Sequence, residues 1–168
     1  MRKHFKGFWL PCDQYTHSVS VTDEMIAQAE QKLNFKLPRS YIELIKTQNG
    51  GVPANSCFPT TVPTSWAENH IAIENIRGLG GEEGIDSEDI QSIDEDWGYP
   101  VHLGFVICDC PSAGHDAVML DYSQCGRNGE PRVIHVDVEN PHHLKITILS
   151  RDFETFINGL VNCQKFED

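Results

Sequence analysis

Three cysteines and one histidine near the middle of the chain have the residue types of a metal site. Cys108, Cys110, His115 and Cys125 offer the thiolate and imidazole groups that tetrahedral zinc prefers. Structural zinc sites usually place about two to four residues between paired ligands, whereas one residue separates Cys108 from Cys110. These two would also point the same way along an extended chain, as core cysteines do without metal. We therefore predict no metal and no cofactor, and zinc at these four positions stays an open alternative.

Acid–base chemistry is the other catalytic possibility, because His115, Asp116 and Asp121 place titratable groups in one short segment. No nucleophile motif such as Gly-x-Ser-x-Gly accompanies them. The glycine-rich stretch 78–81 lacks the lysine and the strand-to-helix context of a phosphate-binding loop. The sequence therefore predicts a protein that is not an enzyme. A metal-dependent enzyme built on the cysteines above is the least favoured alternative.

The most distinctive charged feature is the stretch 82–96, which holds eight acidic residues and no basic residue. We expect a loop or a short helix with Ile85, Ile90 and Ile93 as its apolar anchors. Clustered carboxylates can steer and cover the basic, phosphate-binding cleft of a nuclease, although a solvated loop is the plain alternative. The spacing does not match a calcium-binding EF-hand loop. The carboxylates predicted to contact a partner are Glu82, Glu83, Asp86, Glu88, Asp89, Asp94, Glu95 and Asp96.

Two tryptophans in or beside loop segments extend this predicted binding surface. Trp66 follows a proline-bearing segment, and Trp97 comes directly after the acidic stretch. Aromatic side chains with a polar tip are favoured at the centres of interfaces, although most tryptophans simply pack inside. We predict that both tryptophans are partner anchors.

Composition and charge restrict the class of partner. The 168 residues carry a formal net charge of −12 at pH 7, with a pI near 5.0. Such acidity repels phosphate backbones, which disfavours direct binding to nucleic acid or to an anionic membrane and favours a basic protein partner. With 39% hydrophobic and 23% charged residues, the chain has the composition of a folded globular protein. Its length predicts one domain over residues 1–168, and its oligomeric state is left open.

The amino-terminal segment MRKHFKGFWLPCDQY does not resemble a secretory signal, because Lys6, Gly7 and Pro11 interrupt its apolar residues. No apolar run in the sequence reaches the length of a membrane span. We therefore predict a cytoplasmic protein. Its six cysteines are then expected to be reduced thiols rather than a disulfide framework.

The elements that would position these groups begin with a pair of helices. Thr22 is a suitable N-cap, and Ile26, Ala29 and Leu33 recur at helical spacing, so the first helix should end near Asn34. The segment LPRSYIELIKTQNGG, residues 37–51, predicts a second helix. Its proline suits the first turn, and its Asn-Gly-Gly ends the helix.

Beyond residue 52 the pattern changes from helical to extended. Four segments rich in β-branched residues and separated by short turns predict antiparallel strands: 101–108, 117–122, 132–138 and 145–149. Ser150 is the predicted N-cap of a final helix, in which Phe153, Phe156, Ile157 and Leu160 share an apolar face. Helices beside an antiparallel sheet make an α+β domain.

Several short motifs occur in an order that resembles the SUKH superfamily. They are TDE at 22–24, LPxxY at 37–41, NGG at 49–51, GH at 114–115, LDY at 120–122 and FxxF at 153–156. This superfamily contains the yeast cell-wall-assembly regulator domain and many bacterial immunity proteins against polymorphic or contact-delivered toxins. The resemblance covers about residues 21–160. It implies an N-terminal helical pair, a central, mostly antiparallel sheet and a C-terminal helix packed on that sheet.

The function that the resemblance implies is binding, without a family-wide set of catalytic residues. For the bacterial members it implies stoichiometric occlusion of a toxin, often a nuclease. We therefore expect an immunity protein that binds and neutralises a cognate toxin, with the acidic stretch as the candidate contact surface. The alternative is a regulatory protein-interaction scaffold without a toxin partner. Neither the toxin nor the face that binds it follows from the resemblance.

Overall fold

A computed structural model describes residues 5–11 and 14–167 of the chain. Within them the chain forms four α-helices and two antiparallel sheets, which confirms the predicted α+β class. In chain order the elements are α1 (Asp23–Leu33), α2 (Arg39–Thr47), β1 (Cys57–Pro59), β2 (His70–Ala72), β3 (Asn75–Ile76), α3 (Glu88–Asp96), β4 (Gly104–Asp109), β5 (Asp116–Asp121), β6 (Arg132–Asp137), β7 (Lys145–Ser150) and α4 (Phe153–Asn158). A 3₁₀ turn, Cys163–Phe166, follows α4.

The two N-terminal helices begin and end close to their predicted positions. The Thr22 side chain caps α1 by accepting a hydrogen bond from the backbone N–H of Met25, and Asn34 ends this helix with a left-handed backbone, φ 61°. Pro38 lies one residue earlier than predicted. It is the N-cap of α2, with extended backbone angles, and the first turn begins at Arg39.

The main sheet has the strand order β3-β4-β5-β6-β7, and every neighbouring pair is antiparallel. β1 and β2 pair separately as a short hairpin. Both faces of the main sheet are covered, so β5 is buried along its whole length. The face that packs against the helices carries Phe105, Val118, Leu120 and Val133. The opposite face packs with Tyr99 and carries Val106, Met119, Ile134 and Val136.

The final helix starts from a different cap than predicted. Ser150 is the last residue of β7, and the Asp152 side chain accepts the capping hydrogen bond from the backbone N–H of Thr155 at 2.8 Å. Phe153 and Phe156 are fully buried, as their spacing predicts. The Phe153 ring meets the Tyr41 ring edge-to-face, with 5.5 Å between centroids, so α4 joins α2 across the core.

The structure differs from the expectation of six reduced cysteines at one pair. Cys57 in β1 forms a disulfide with Cys163 in the final 3₁₀ turn, across a sequence separation of 106 residues. The free thiols among the described residues are Cys108, Cys110 and Cys125. Cys12 lies outside the described residues. None of the helices in the described part of the chain has the length and apolar character that crossing a bilayer requires.

Loss of the disulfide should lower the free energy of unfolding by about 2–4 kcal/mol, because the unfolded chain regains the freedom of a long loop. Guanidinium denaturation of the Cys163→Ser variant measures this change. Cys125→Ser removes an exposed cysteine outside the disulfide and is the control, with little expected change. Equal stability of wild type and Cys163→Ser would contradict the expectation.

Candidate partner-binding surface

The backbone that leads toward α3 is held by two motif residues of the helical pair. The side-chain amide of Asn49 donates to the carbonyl oxygens of Val19 and Leu79 at 2.8 and 2.9 Å. Its Oδ1 accepts from the Leu79 N–H at 2.8 Å. The buried hydroxyl of Tyr41 donates to the Arg77 carbonyl oxygen at 2.6 Å. The LPxxY and NGG motifs therefore fix residues 77–79 against the helices.

Gly50 and Gly78 lie where two backbone segments come too close together for a side chain. A Cβ atom on Gly78 would overlap Oδ1 and the carbonyl group of Asn49. Gly50 has φ +85°, and a Cβ there would lie 2.8 Å from the Gly78 nitrogen. Both positions therefore exclude a side chain while Asn49 keeps its hydrogen bonds.

The buried guanidinium group of Arg77 ties α3 to the sheet. Its Nη1 lies 2.8 Å from Asp94 Oδ2 in α3, and its Nη2 lies 2.7 Å from Asp109 Oδ1 at the end of β4. Burial acts to lower the pKa of Arg77, but Asp109 and Asp94 raise it above its ordinary value. Burial raises the pKa of Asp94 in spite of the arginine. Asp94 thus belongs to an internal ion-pair network.

Two of the residues predicted to contact a partner are mostly buried in this arrangement. Asp94 is 7% exposed and bound to Arg77, and Asp86 is also 7% exposed. Asp86 accepts a hydrogen bond from the Gly80 N–H at 3.0 Å, which fastens the loop before α3. Both carboxylates are hydrogen-bonded within the chain, and their contact with a partner stays a prediction.

The remaining carboxylates of the stretch are exposed and form what we call the acidic face: Glu82, Glu83, Glu88, Asp89, Glu95 and Asp96. The second half of the stretch is a true helix, capped by the Ser87 side chain, which accepts from the Ile90 N–H at 3.3 Å. Ile85 is buried, as an apolar anchor should be. Ile93 was also expected to be an anchor, but it is 49% exposed and lies one helical turn from Trp97, itself 48% exposed.

The turn between β4 and β5 supports one side of Trp97. A Cβ on Gly114, which has φ +97°, would lie 3.2 Å from the indole ring. The His115 ring meets Trp97 edge-on, with 6.1 Å between centroids and 87° between planes. The Gly-His motif therefore contacts the Trp97 indole beside α3, and the residue as a whole stays about half exposed.

A cleft of about 320 Å³ lies between α3, this turn and the end of β4. Ile93 and Trp97 form part of its rim, and Arg77 lies within it. The carboxylates among the described residues that line it are Glu74, Glu83, Asp94, Asp109 and Asp116. Since a single arginine faces these five groups, the cleft is suited to a cationic side chain.

Comparison with protein-family profiles matches residues 20–159 to the SMI1 / KNR4 family (SUKH-1). The chain belongs to this family. The resemblance inferred from the short motifs is thereby confirmed, and the matched range includes both Asn49 and the acidic face. Comparisons with curated proteins and with solved structures yield no match.

Trp66 lies on a different element of this SUKH-1 chain from Trp97. It is 39% exposed in the connection between β1 and β2, where its backbone N–H donates to the Thr64 hydroxyl at 3.2 Å. The acidic cleft is lined by Trp97 but not by Trp66. Of the two predicted anchors, Trp97 is therefore the one that adjoins the cleft.

The four residues of the open zinc alternative do not form one cluster in the SUKH-1 fold. Cys108 and Cys110 are buried in the main core cluster, His115 stands beside Trp97, and Cys125 is exposed. Burial raises the pKa of the Cys108 thiol well above its ordinary value, which makes it unreactive. Among the described residues, Cys110 instead lies in a compact group with Asp116 and His135, which were not part of that alternative.

A second exposed apolar patch lies on β7, the edge strand of the main sheet. Its members are Leu144, Ile146 and Ile148, which are 38%, 43% and 59% exposed. The two isoleucines alternate with Thr147 and therefore point to the same side of the sheet. This patch is called the β7 patch below.

Replacing Arg77 with methionine should lower the free energy of unfolding by about 3–5 kcal/mol, because Asp94 and Asp109 would lose their shared cation. Urea denaturation measures the effect. The control is Arg39→Met, since the Arg39 side chain is 91% exposed in its pair with Glu43 and its removal should cost less than about 1 kcal/mol. Similar losses from both substitutions would show that Arg77 does not tie α3 to the sheet.

Proposed function

We propose that this SUKH-1 protein is an immunity protein, which binds one cognate bacterial toxin and blocks its active site or substrate access without catalysis. Family membership is consistent with toxin immunity in general. The observation that carries the specific proposal is the exposed pair Ile93 and Trp97 beside a carboxylate-lined cleft. A stoichiometric inhibitor needs such a surface rather than a reactive group.

The Ile93–Trp97 pair supports the proposal because it has the make-up of an interface centre. Ile93 lies in α3, Trp97 is the C-cap of this helix four residues later, and each is about half exposed. The Trp97 indole already contacts Gly114 and His115 on one side. It therefore loses little conformational entropy when a partner covers its other side. Binding energy in interfaces is concentrated in a few such residues, surrounded by a polar rim. The acidic face supplies that rim.

The charge of the surface favours a basic partner. The acidic face and the net charge of −12 would accelerate encounter with a positively charged toxin, such as a nuclease with a basic cleft. A lysine or arginine of that toxin can enter the carboxylate-lined cleft beside Trp97. Trp66 would belong to the interface only if the toxin extends to the β1–β2 hairpin. Direct binding to nucleic acid is not part of the proposal.

Co-expression with the toxin encoded immediately upstream should rescue growth and yield a copurifying one-to-one complex. Absence of both rescue and complex would refute the proposal for that pair. Recovery of many cellular proteins instead of one toxin would favour the alternative, a regulatory interaction scaffold.

Truncation of the exposed pair should weaken the complex, because the toxin would lose its central contacts. We expect Trp97→Ala to raise the Kd at least about thirtyfold, which corresponds to roughly 2 kcal/mol, and Ile93→Ala about tenfold. Ile148→Ala is the matched control, since it removes an isoleucine of similar exposure, 59% against 49% for Ile93, from the β7 patch. Titration calorimetry measures all three. If Ile148→Ala alone weakened binding, the toxin would be assigned to the β7 patch and not to α3.

The proposed location is the cytoplasm, and the disulfide makes this testable because cytoplasmic thiols are kept reduced. Under this proposal, Cys57 and Cys163 react with an alkylating reagent applied to living cells and form their disulfide only after lysis in air. Mass spectrometry of the trapped protein distinguishes the two states. A pair already oxidised in the cell would contradict the cytoplasmic location and leave the binding proposal untouched.

A further inference from the structure

Three buried side chains of different chemistry meet at one end of the main sheet. Cys110 follows β4, Asp116 begins β5, and His135 lies in β6. One potential ligand atom from each lies within 4.8 Å of the others. The His135 Nε2 and Asp116 Oδ2 atoms are 2.7 Å apart. The three residues are 5%, 5% and 1% exposed, and the antiparallel pairing of three strands holds them in place.

One oxygen in this group lacks a partner. Asp116 Oδ1 is buried and accepts no hydrogen bond from the described residues, and the whole side chain is only 4% exposed. Burial acts to raise the pKa of Asp116, but His135, Ser112 and Cys110 bring it below its ordinary value, so the carboxylate is charged. Ser112 and Cys110 lie near the carboxylate without reaching Oδ1 in hydrogen-bonding geometry. A buried, charged oxygen without a partner is costly, and a cation would satisfy it.

We propose that Cys110, Asp116 and His135 bind a zinc ion, with water as the fourth ligand. Thiolate, carboxylate and imidazole are all zinc ligands, and the thiolate disfavours calcium and magnesium. Thiolate and carboxylate together carry two negative charges, which balance a divalent ion in a buried site. This inference is independent of any toxin, so its failure leaves the proposed function intact.

The cleft beside Trp97 gives the ion a route to the site. Cys110 and Asp116 line that cleft, whose volume of about 320 Å³ exceeds what a water molecule needs. His135 does not line it and would close the site from the protein side. Three protein ligands with one position open to a cleft is the arrangement of zinc sites that keep an exchangeable water.

Zinc binding changes protons in a defined way. Cys110 loses its thiol proton to solvent and becomes the thiolate ligand. The Nε2 proton that His135 donates to the Asp116 carboxylate passes to solvent, and Nδ1 carries the proton of the neutral imidazole, so Nε2 is free to bind the ion. The hydrogen bond between the two residues is replaced by one bond from each to the ion. Burial and the neighbouring Asp116 hold the pKa of the Cys110 thiol well above its ordinary value. Zinc must displace this proton, so affinity should rise with pH.

Cobalt titration of the disulfide-intact protein, stripped of metal by a chelator, tests the site. We expect one equivalent of Co²⁺ to bind with a cobalt–thiolate charge-transfer band and tetrahedral visible absorption, and Zn²⁺ to displace it. Cys110→Ser should abolish the thiolate band and weaken binding by about tenfold or more. Cys125→Ser and His115→Gln are the matched controls, because both remove exposed potential ligands outside the site, and the band should persist in each.

Two results would overturn the site. One is folded wild-type protein that gives no band at a small excess of Co²⁺ at neutral or higher pH. The other is a band that survives Cys110→Ser and disappears in Cys125→Ser. If Cys110→Ser does not fold, Asp116→Asn replaces it, since this variant keeps the size of the side chain. It should retain the thiolate band but bind Co²⁺ more weakly, and unchanged affinity in a folded Asp116→Asn protein would exclude the carboxylate from the site.

Discussion

Two side chains of the helical pair hold the backbone of residues 77–79, and the placement of α3 depends on that hold. Asn49 uses both ends of its amide on Leu79, and Tyr41 donates to the Arg77 carbonyl. A buried polar group left without its partner costs about 1–3 kcal/mol. Glycine at position 78 lets Asn49 come this close. The LPxxY and NGG motifs are therefore structural. They influence the position of the acidic face because they hold the backbone segment that leads to it.

The Arg77 side chain extends from this fixed backbone and connects it to α3 through the ion pair with Asp94. Ile93 and Asp94 in α3 and its C-cap Trp97 all line the same cleft. Arg77 binds the buried Asp94, while Ile93 and Trp97 stay about half exposed. The ion pair therefore fixes the helix that carries the proposed recognition surface, and substitution of Ile93 or Trp97 removes no member of the ion pair.

Local sequence signals predicted most of the fold. The spacing of Ile26, Ala29 and Leu33 gave α1, and runs of β-branched residues marked the main strands. The cap of α4 was missed because Ser150 and Asp152 are both good capping residues, and the pairing of β7 through Ser150 decides between them. That competition depends on strand register, which helical spacing does not encode.

The interactions that sequence reasoning missed join distant positions. Cys57 and Cys163 form a disulfide across 106 residues. Arg77 forms its ion pair with Asp94, which is buried although most carboxylates of the acidic stretch are exposed. The acidic stretch was recognised from its charge, but its buried and exposed members look alike in the sequence. On a helical wheel Ile90, Ile93, Asp94 and Trp97 fall within one arc of about 100°. Which members of that arc are buried is decided by tertiary packing.

Hydrogen–deuterium exchange of the protein, alone and bound to the co-encoded toxin, tests most directly whether α3 is the recognition surface. The account predicts slower exchange on binding in residues 82–98, with exchange in β7 unchanged. Slower exchange confined to β7 or to the N-terminal helices, with residues 82–98 unaffected, would contradict it.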